Sequence, residues 1–191
     1  MSRRTKRSGD AGISLVEMVI TLAVGLVLAS IALPVVVGAI QKYRLDSVAR
    51  QTANLIDLTR YTAIRKNMLI SLQRTTQNGN AVLYVDLNKN ATLDANEPLV
   101  MFPSDMQIAN GDSLTPSATT MGLGNTIDFA TGIQFDYRGV VHYAGGGPTN
   151  PYFLAIGYRT QAQYGTRAVT VTPMGQTKSW TAPSGGTWSG M

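Results

Sequence analysis

Residues 86 to 97 read Asp86-Leu-Asn-Lys-Asn-Ala-Thr-Leu-Asp-Ala-Asn-Glu97, a run rich in side-chain oxygens. Asp86, Asn88, Asn90, Asp94 and Glu97 fall at the oxygen-donating positions of an EF-hand-like loop, with Thr92 among them and Leu93 at its apolar place. Calcium takes roughly six to eight oxygens, and this run could supply most of them. Three features favour a plain turn instead. Ala91 stands where the sharp turn wants glycine, the flanks read as strands, and Asx side chains build turns without metal. No other constellation suggests chemistry. The chain has no cysteine, which excludes disulfides, thiolate metal sites and a cysteine nucleophile. His142 is the only histidine and reads as a strand residue. No nucleophile–base pair can be assembled, so the chain reads as a non-enzyme with no cofactor beyond the calcium candidate.

The other unusual residue is Glu17. It is the only charged residue within 13–40, and residues 18–40 form an uncharged apolar run of 23. About 20 such residues cross a bilayer core as a helix. Arg3, Arg4, Lys6 and Arg7 precede the run, which sets that end on the cytoplasmic side and the rest of the chain beyond the membrane. A cleaved secretory signal would carry a shorter apolar stretch ending in small residues. A plain signal anchor fits the length but leaves Glu17 unexplained, because a carboxylate at mid-membrane costs about 2.5–3.5 kcal/mol. Ser14-x-x-Glu17 also matches a capping box.

Gly12-Ile13-Ser14-Leu15-Val16-Glu17, behind the basic cluster and ahead of the apolar run, resembles the cleavage and methylation motif of type IV prepilins and type II secretion pseudopilins. The resemblance implies cleavage after Gly12 by a prepilin peptidase and methylation of the new N-terminus at Ile13, a place usually held by phenylalanine. It implies that Glu17 pairs with the N-terminal amine of a neighbouring subunit during assembly, each charge offsetting the other's desolvation. Pro34 fits the mid-helix proline frequent in that family, and it removes one backbone donor. The implied partners are the peptidase/methylase, other pilins or pseudopilins, and the inner membrane, crossed once with the C-terminal domain in the periplasm. Removal of residues 1–12 takes Lys+Arg from 16 to 12 and Asp+Glu from 11 to 10, so the formal charge falls from +5 to +2. The basic pI is therefore mostly a property of the leader and does not argue for nucleic acid.

The elements beyond the run follow from periodicity. Leu45, Val48, Thr52, Leu55 and Thr59 recur at helical steps, so the helix should continue as an amphipathic segment over 41–68. The period then changes to two. Strands are expected at 69–75, 81–86, 99–102, 127–129, 133–137, 140–143, 152–158 and 167–172, joined by Gly, Asn and Pro turns. Gly-rich loops at 109–126 and 144–151 precede no helix and are not phosphate loops. The expected fold is α+β: a leader (1–12), a membrane or filament-core helix (13–40), its amphipathic continuation (41–68), an antiparallel β domain (69–182) and a flexible Gly/Ser-rich tail (183–191).

The helix with Arg60, Ala63 and Arg65, then Ile133-Gln-Phe-Asp-Tyr-Arg-Gly139 and Val169-Thr-Val-Thr-Pro-Met-Gly175, resembles the GspH/FimT group of minor pilins and pseudopilins. The resemblance implies a low-abundance subunit that helps to start or cap filament assembly, with a type IV pilus favoured over type II secretion. Some FimT-type proteins bind DNA through a Gly-Arg-x-Arg-like stretch. The corresponding place here reads Gly175-Gln176-Thr177-Lys178, which leaves Arg159, Arg167 and Lys178, with Arg138, as a scattered basic candidate for DNA.

Overall fold

A computed structural model describes residues 12–109, 121, 127–129, 132–142 and 151–191. Most of the leader and most of the two Gly-rich loops lie outside the described residues. One long α-helix, α1, runs Leu15–Lys66 among the described residues. Its first hydrogen bond joins Met18 N–H to Ser14 C=O at 3.0 Å, which sets Ser14 at the N-cap position. Pro34 lies inside it. The chain divides into two compact units after Ile40.

The helix stops two residues short of the expected end. Asn67 adopts a left-handed φ of 51°, Met68 N–H reaches Ala63 C=O (3.2 Å), and Asn67 N–H reaches Ile64 C=O (3.2 Å). That pair of bonds is a Schellman stop with asparagine in the place usually held by glycine. Upstream, Leu45, Ala49, Ile56 and Ala63 are essentially solvent-free. The buried hydroxyls of Thr52 and Thr59 donate to Val48 and Leu55 carbonyls one turn back, so this face carries no unpaired polar group into the core.

Eleven strands follow in the described residues: β1 Ile70–Gln77, β2 Asn80–Asp86, β3 Leu99–Met101, β4 Met106–Ala109, β5 Ile127–Asp128, β6 Ile133–Phe135, β7 Val141–His142, β8 Tyr152–Tyr158, β9 Thr166–Val171, β10 Thr177–Ala182 and β11 Ser189–Gly190. They form two sheets, in the orders β3-β2-β1-β6-β7 and β11-β10-β9-β8-β4. All pairs are antiparallel except β5, which runs parallel to the start of β8. The β1–β2 turn is Asn78-Gly79, both at positive φ, the two-residue hairpin whose twist matches its strands.

The main core packs the 45–63 face of α1 with both sheets. Tyr152, Leu154, Ile156 and Tyr158 face it, as their alternation predicts. Phe153 and Ala155, on the opposite face of β8, enter a second cluster with Ala168, Trp180, Ala182 and Trp188. The segment 183–191, expected to be flexible, closes that second cluster. Ser189–Gly190 pairs with β10, Met191 N–H bonds Ser179 C=O (3.0 Å), and the Trp188 ring meets Phe153 edge-on at 6.0 Å. Composition suggested mobility, but one buried tryptophan outweighs the glycines around it.

Trp188→Ala should therefore destabilise the folded chain by roughly 3 kcal/mol, the usual cost of deleting a buried aromatic. Urea unfolding of the detergent-solubilised protein reads this directly, and an unchanged midpoint would mean a loose tail.

Candidate functional site

Gly12 and Ile13 precede the helix and lie in no regular element. Ile13 is 78% exposed, and a side chain at position 12 would meet nothing within 4 Å. The peptide bond between them is thus open to an enzyme without unwinding α1. Glu17 sits exposed in the first helical turn, where the helix dipole favours a negative charge. It has no ion-pair partner among the described residues. Every residue of 15–37 is exposed. The 17 large apolar side chains exposed between Ile13 and Ile40 would each gain roughly 1.5–3 kcal/mol on burial. The sum, some tens of kcal/mol, far exceeds the cost of carrying Glu17 along. This segment is long and apolar enough to cross a membrane.

The loop between β2 and β3 closes on itself. Asp86, only 3% exposed, accepts from the backbone N–H groups of Lys89 (2.7 Å), Asn90 (3.2 Å) and Ala91 (3.1 Å). Glu97 accepts from Leu87 N–H (2.8 Å) and Asp94 N–H (3.1 Å). Asp94 accepts from the side-chain amides of Asn88 (2.6 Å) and Asn90 (2.9 Å), and Asn90 accepts from Thr92 N–H (2.8 Å). Lys89 and Ala91 take left-handed φ values of 64° and 57°, so the sharp bend forms without glycine. All six candidate ligands lie in this loop, and its three carboxylates accept hydrogen bonds from the loop's own N–H groups. Among the described residues no three His, Cys, Asp or Glu side chains form a metal-holding group. Burial, then the charges of Asp86, Glu97 and Asp94, raise the pKa of nearby Tyr84. The melting temperature should be the same in millimolar calcium and in excess EDTA. Asp86→Ala should lower it in both by a similar amount, since it strips three amides of their acceptor.

Of the basic candidates for DNA, Arg138, Arg159 and Lys178 are exposed, whereas Arg167 is buried. Arg167 is 6% exposed, its guanidinium pairs with Asp46 of α1, and it also donates to Thr166 C=O. Its strand position pointed it inward, where only a helix carboxylate makes its burial tolerable. Lys178 lies over the Trp180 ring, 4.1 Å from its centroid, and Arg159 donates to Met106 C=O (3.3 Å). Arg138 pairs with Asp136 at 3.0 Å. Burial alone would raise the Asp136 pKa, but hydrogen bonds from Val140 and Arg138 and the Arg138 charge bring it below the usual carboxylate value.

The structure brings together the three stretches that carry the GspH/FimT resemblance. Arg60 Nε donates to Gly139 C=O at 2.9 Å. Gly139 and Gly175 have φ of 76° and 78°, and a Cβ on Gly175 would collide with the Gly139 carbonyl. Further polar anchors along α1 were not foreseen. Tyr158 donates its hydroxyl to Gln41, Arg44 pairs with Asp105 (3.2 Å), and Thr177 donates to Asp57 (2.6 Å). Their only sequence signal was polar residues at the margins of the helix's apolar stripe.

Residues 7–33 match the family model for the prokaryotic N-terminal methylation motif. Over 87 residues the chain is 34% identical to the pilin-like protein PilA1 of Thermus thermophilus, covering 45% of this chain and 54% of the relative. The chain thus spans about half the length of the curated relative it matches. Among solved structures, the type IV minor pilin FimU of Pseudomonas aeruginosa superposes with a TM-score of 0.50 at 13% identity, covering 77% of this chain and 94% of FimU. The minor pseudopilin EpsH of the Vibrio cholerae type 2 secretion system gives 0.45 at 11% identity, covering 71% and 95%. With a prokaryotic N-terminal methylation motif that runs from residue 7 into a long helix, and an α+β fold like that of FimU, the chain resembles the GspH/FimT-type minor pilins.

Proposed function

We propose that the chain is a minor pilin of a type IV pilus that helps to initiate or cap filament assembly. Residues 1–12 act as the leader, a prepilin peptidase cuts after Gly12, and Ile13 becomes the methylated N-terminus. Residues 13–40 hold the subunit in the inner membrane, with the two-sheet unit in the periplasm, and then pass into the filament core. The observation that carries this is the order of parts: an accessible Gly12–Ile13 bond, a first-turn glutamate without a partner among the described residues, then an apolar helix exposed throughout. A signal for removal would be cut after the apolar segment, whereas this motif sits before it. A type IV pilus is the machine we favour, with a type II secretion pseudopilus as the alternative. Neighbouring pilins are the partners, and the new N-terminal ammonium of an adjacent subunit meets Glu17 as the two charges leave water together.

Glu17→Ala separates this from a plain membrane anchor. The variant should still insert and be cut at Gly12, yet its recovery in sheared filaments should fall about tenfold or more, because a buried ammonium would lose its partner, a loss of roughly 3–5 kcal/mol. Normal recovery would reduce Glu17 to a helix-capping residue.

A further inference from the structure

The chain's last nine residues fold back across the edge of one sheet. Strand β10 ends at Ala182, and residues 183–186 reverse direction, with Gly186 N–H bonding Pro183 C=O at 2.9 Å and Gly185 at a φ of 70°. Strand β11 then lies against β10, pairing Thr181 with Ser189 and Trp180 with Gly190. Met191 N–H bonds Ser179 C=O at 3.0 Å. Antiparallel alternation therefore turns the backbone groups of Ser179 and Thr181 to β11, and those of Lys178, Trp180 and Ala182 to β9. Residues 183–185, 187 and 189–191 are exposed, whereas Trp188 is 8% exposed and meets the Phe153 ring edge-on. A ladder of two residues is marginal by itself. The buried ring is what makes this segment stay.

Beneath the segment is an edge without the usual protection. With β11 lifted, β10 would end its sheet. Thr177, Ser179 and Thr181, whose backbone groups would then face outward, are uncharged. Exposed edges are normally blunted by lysine or another charge. Lys178 is the one charge in 177–182, and its ammonium lies 4.1 Å over the Trp180 ring. The strand is also complementary to itself. A second β10 laid antiparallel and centred on Ser179 sets Thr177 opposite Thr181 at both ends and Lys178 opposite Trp180. Threonine pairs are favourable across strands, and no like charges meet. Lysine would face across the strands the same kind of ring that it covers within its own chain.

We propose that residues 183–191 are an autoinhibitory latch, held shut by Trp188, that keeps β10 from pairing with β10 of a second copy of this chain. The latch satisfies the outward groups of Ser179 and Thr181 within the chain, so a copy has nothing to bond. Opening it frees both, and the two strands can then join about a two-fold axis at Ser179, with each copy offering the same surface. The inference goes beyond the assembly reading, because it concerns a pairing that the subunit avoids.

Sedimentation of the full-length chain in excess detergent tests this. Trp188→Ala should dimerise with a dissociation constant about tenfold or more below that of the unaltered chain, since the edge is then open for a larger share of the time. Ser189→Pro removes an N–H that faces β10 and leaves Trp188 in place, so the test stands even if Trp188→Ala does not fold. It should shift the constant in the same direction. Adding Ser179→Lys to either variant should restore the original constant, because two lysines would then face each other across the two-fold axis. Unchanged association in the latch variants overturns the proposal. So does a gain in association that Ser179→Lys leaves in place, which would mark general aggregation of a loosened chain.

Discussion

The rest of the structure depends on one helix that must satisfy two environments. From Ile40 back to Leu15 it offers no core to its own chain: the apolar side chains there are all exposed. From Gln41 onward the same helix is the centre of a packed unit, with Leu45, Ala49, Ile56 and Ala63 buried against two sheets. An apolar helix in water is opposed by the hydrophobic effect along its whole length. The first half therefore requires a bilayer or other subunits, while the second half is self-sufficient. In the assembly we propose, moving the subunit from membrane to filament exchanges one apolar surrounding for another, so the large burial term nearly cancels. The single charge, Glu17, then becomes the element whose free energy differs most between the two places.

The packed unit is built so that the helix does not roll on the sheets. The apolar stripe supplies most of the burial, but apolar contacts are tolerant of rotation. Direction comes from polar anchors spread from Gln41 to Arg60: Tyr158, Asp105, Arg167, Thr177 and the Gly139 carbonyl each receive or offer a bond to α1. The Asp46–Arg167 pair is nearly dry on the arginine side. Such a pair adds little net stability, yet it penalises any register in which either charge is left alone. Strand β8 takes the opposite role, buried on both faces and shared by the main core and the Phe153–Trp180–Trp188 cluster.

How much of this was legible follows from where the information resides. The buried face of α1 was readable because Leu45, Val48, Thr52 and Leu55 keep a local period. The N-terminal motif was readable because leader, glycine, glutamate and apolar run occur in order. The helix stop at Asn67 was missed because asparagine reaches the left-handed region without advertising it as glycine does. Strand β10 was missed because Thr177-Lys-Ser-Trp-Thr-Ala reads as polar, and its inward residues, Trp180 and Ala182, matter only once β9 lies alongside. Arg167 looked like surface charge because its partner is 121 positions away. The Asp86–Glu97 loop presented ligand-like spacing, whereas the hydrogen bonds that fold it, from the Lys89, Asn90 and Ala91 amides to Asp86, exist only in three dimensions.

The central claim is that Gly12–Ile13 is a processing bond placed before a retained helix. Intact mass and N-terminal sequencing of the full chain, expressed with and without a prepilin peptidase, address it directly. The account predicts a new N-terminus at Ile13 only with the peptidase, carrying one added methyl when the methylase activity is present, and the apolar helix still attached. A chain that keeps its leader in both samples, or one cut beyond the apolar segment, would contradict it.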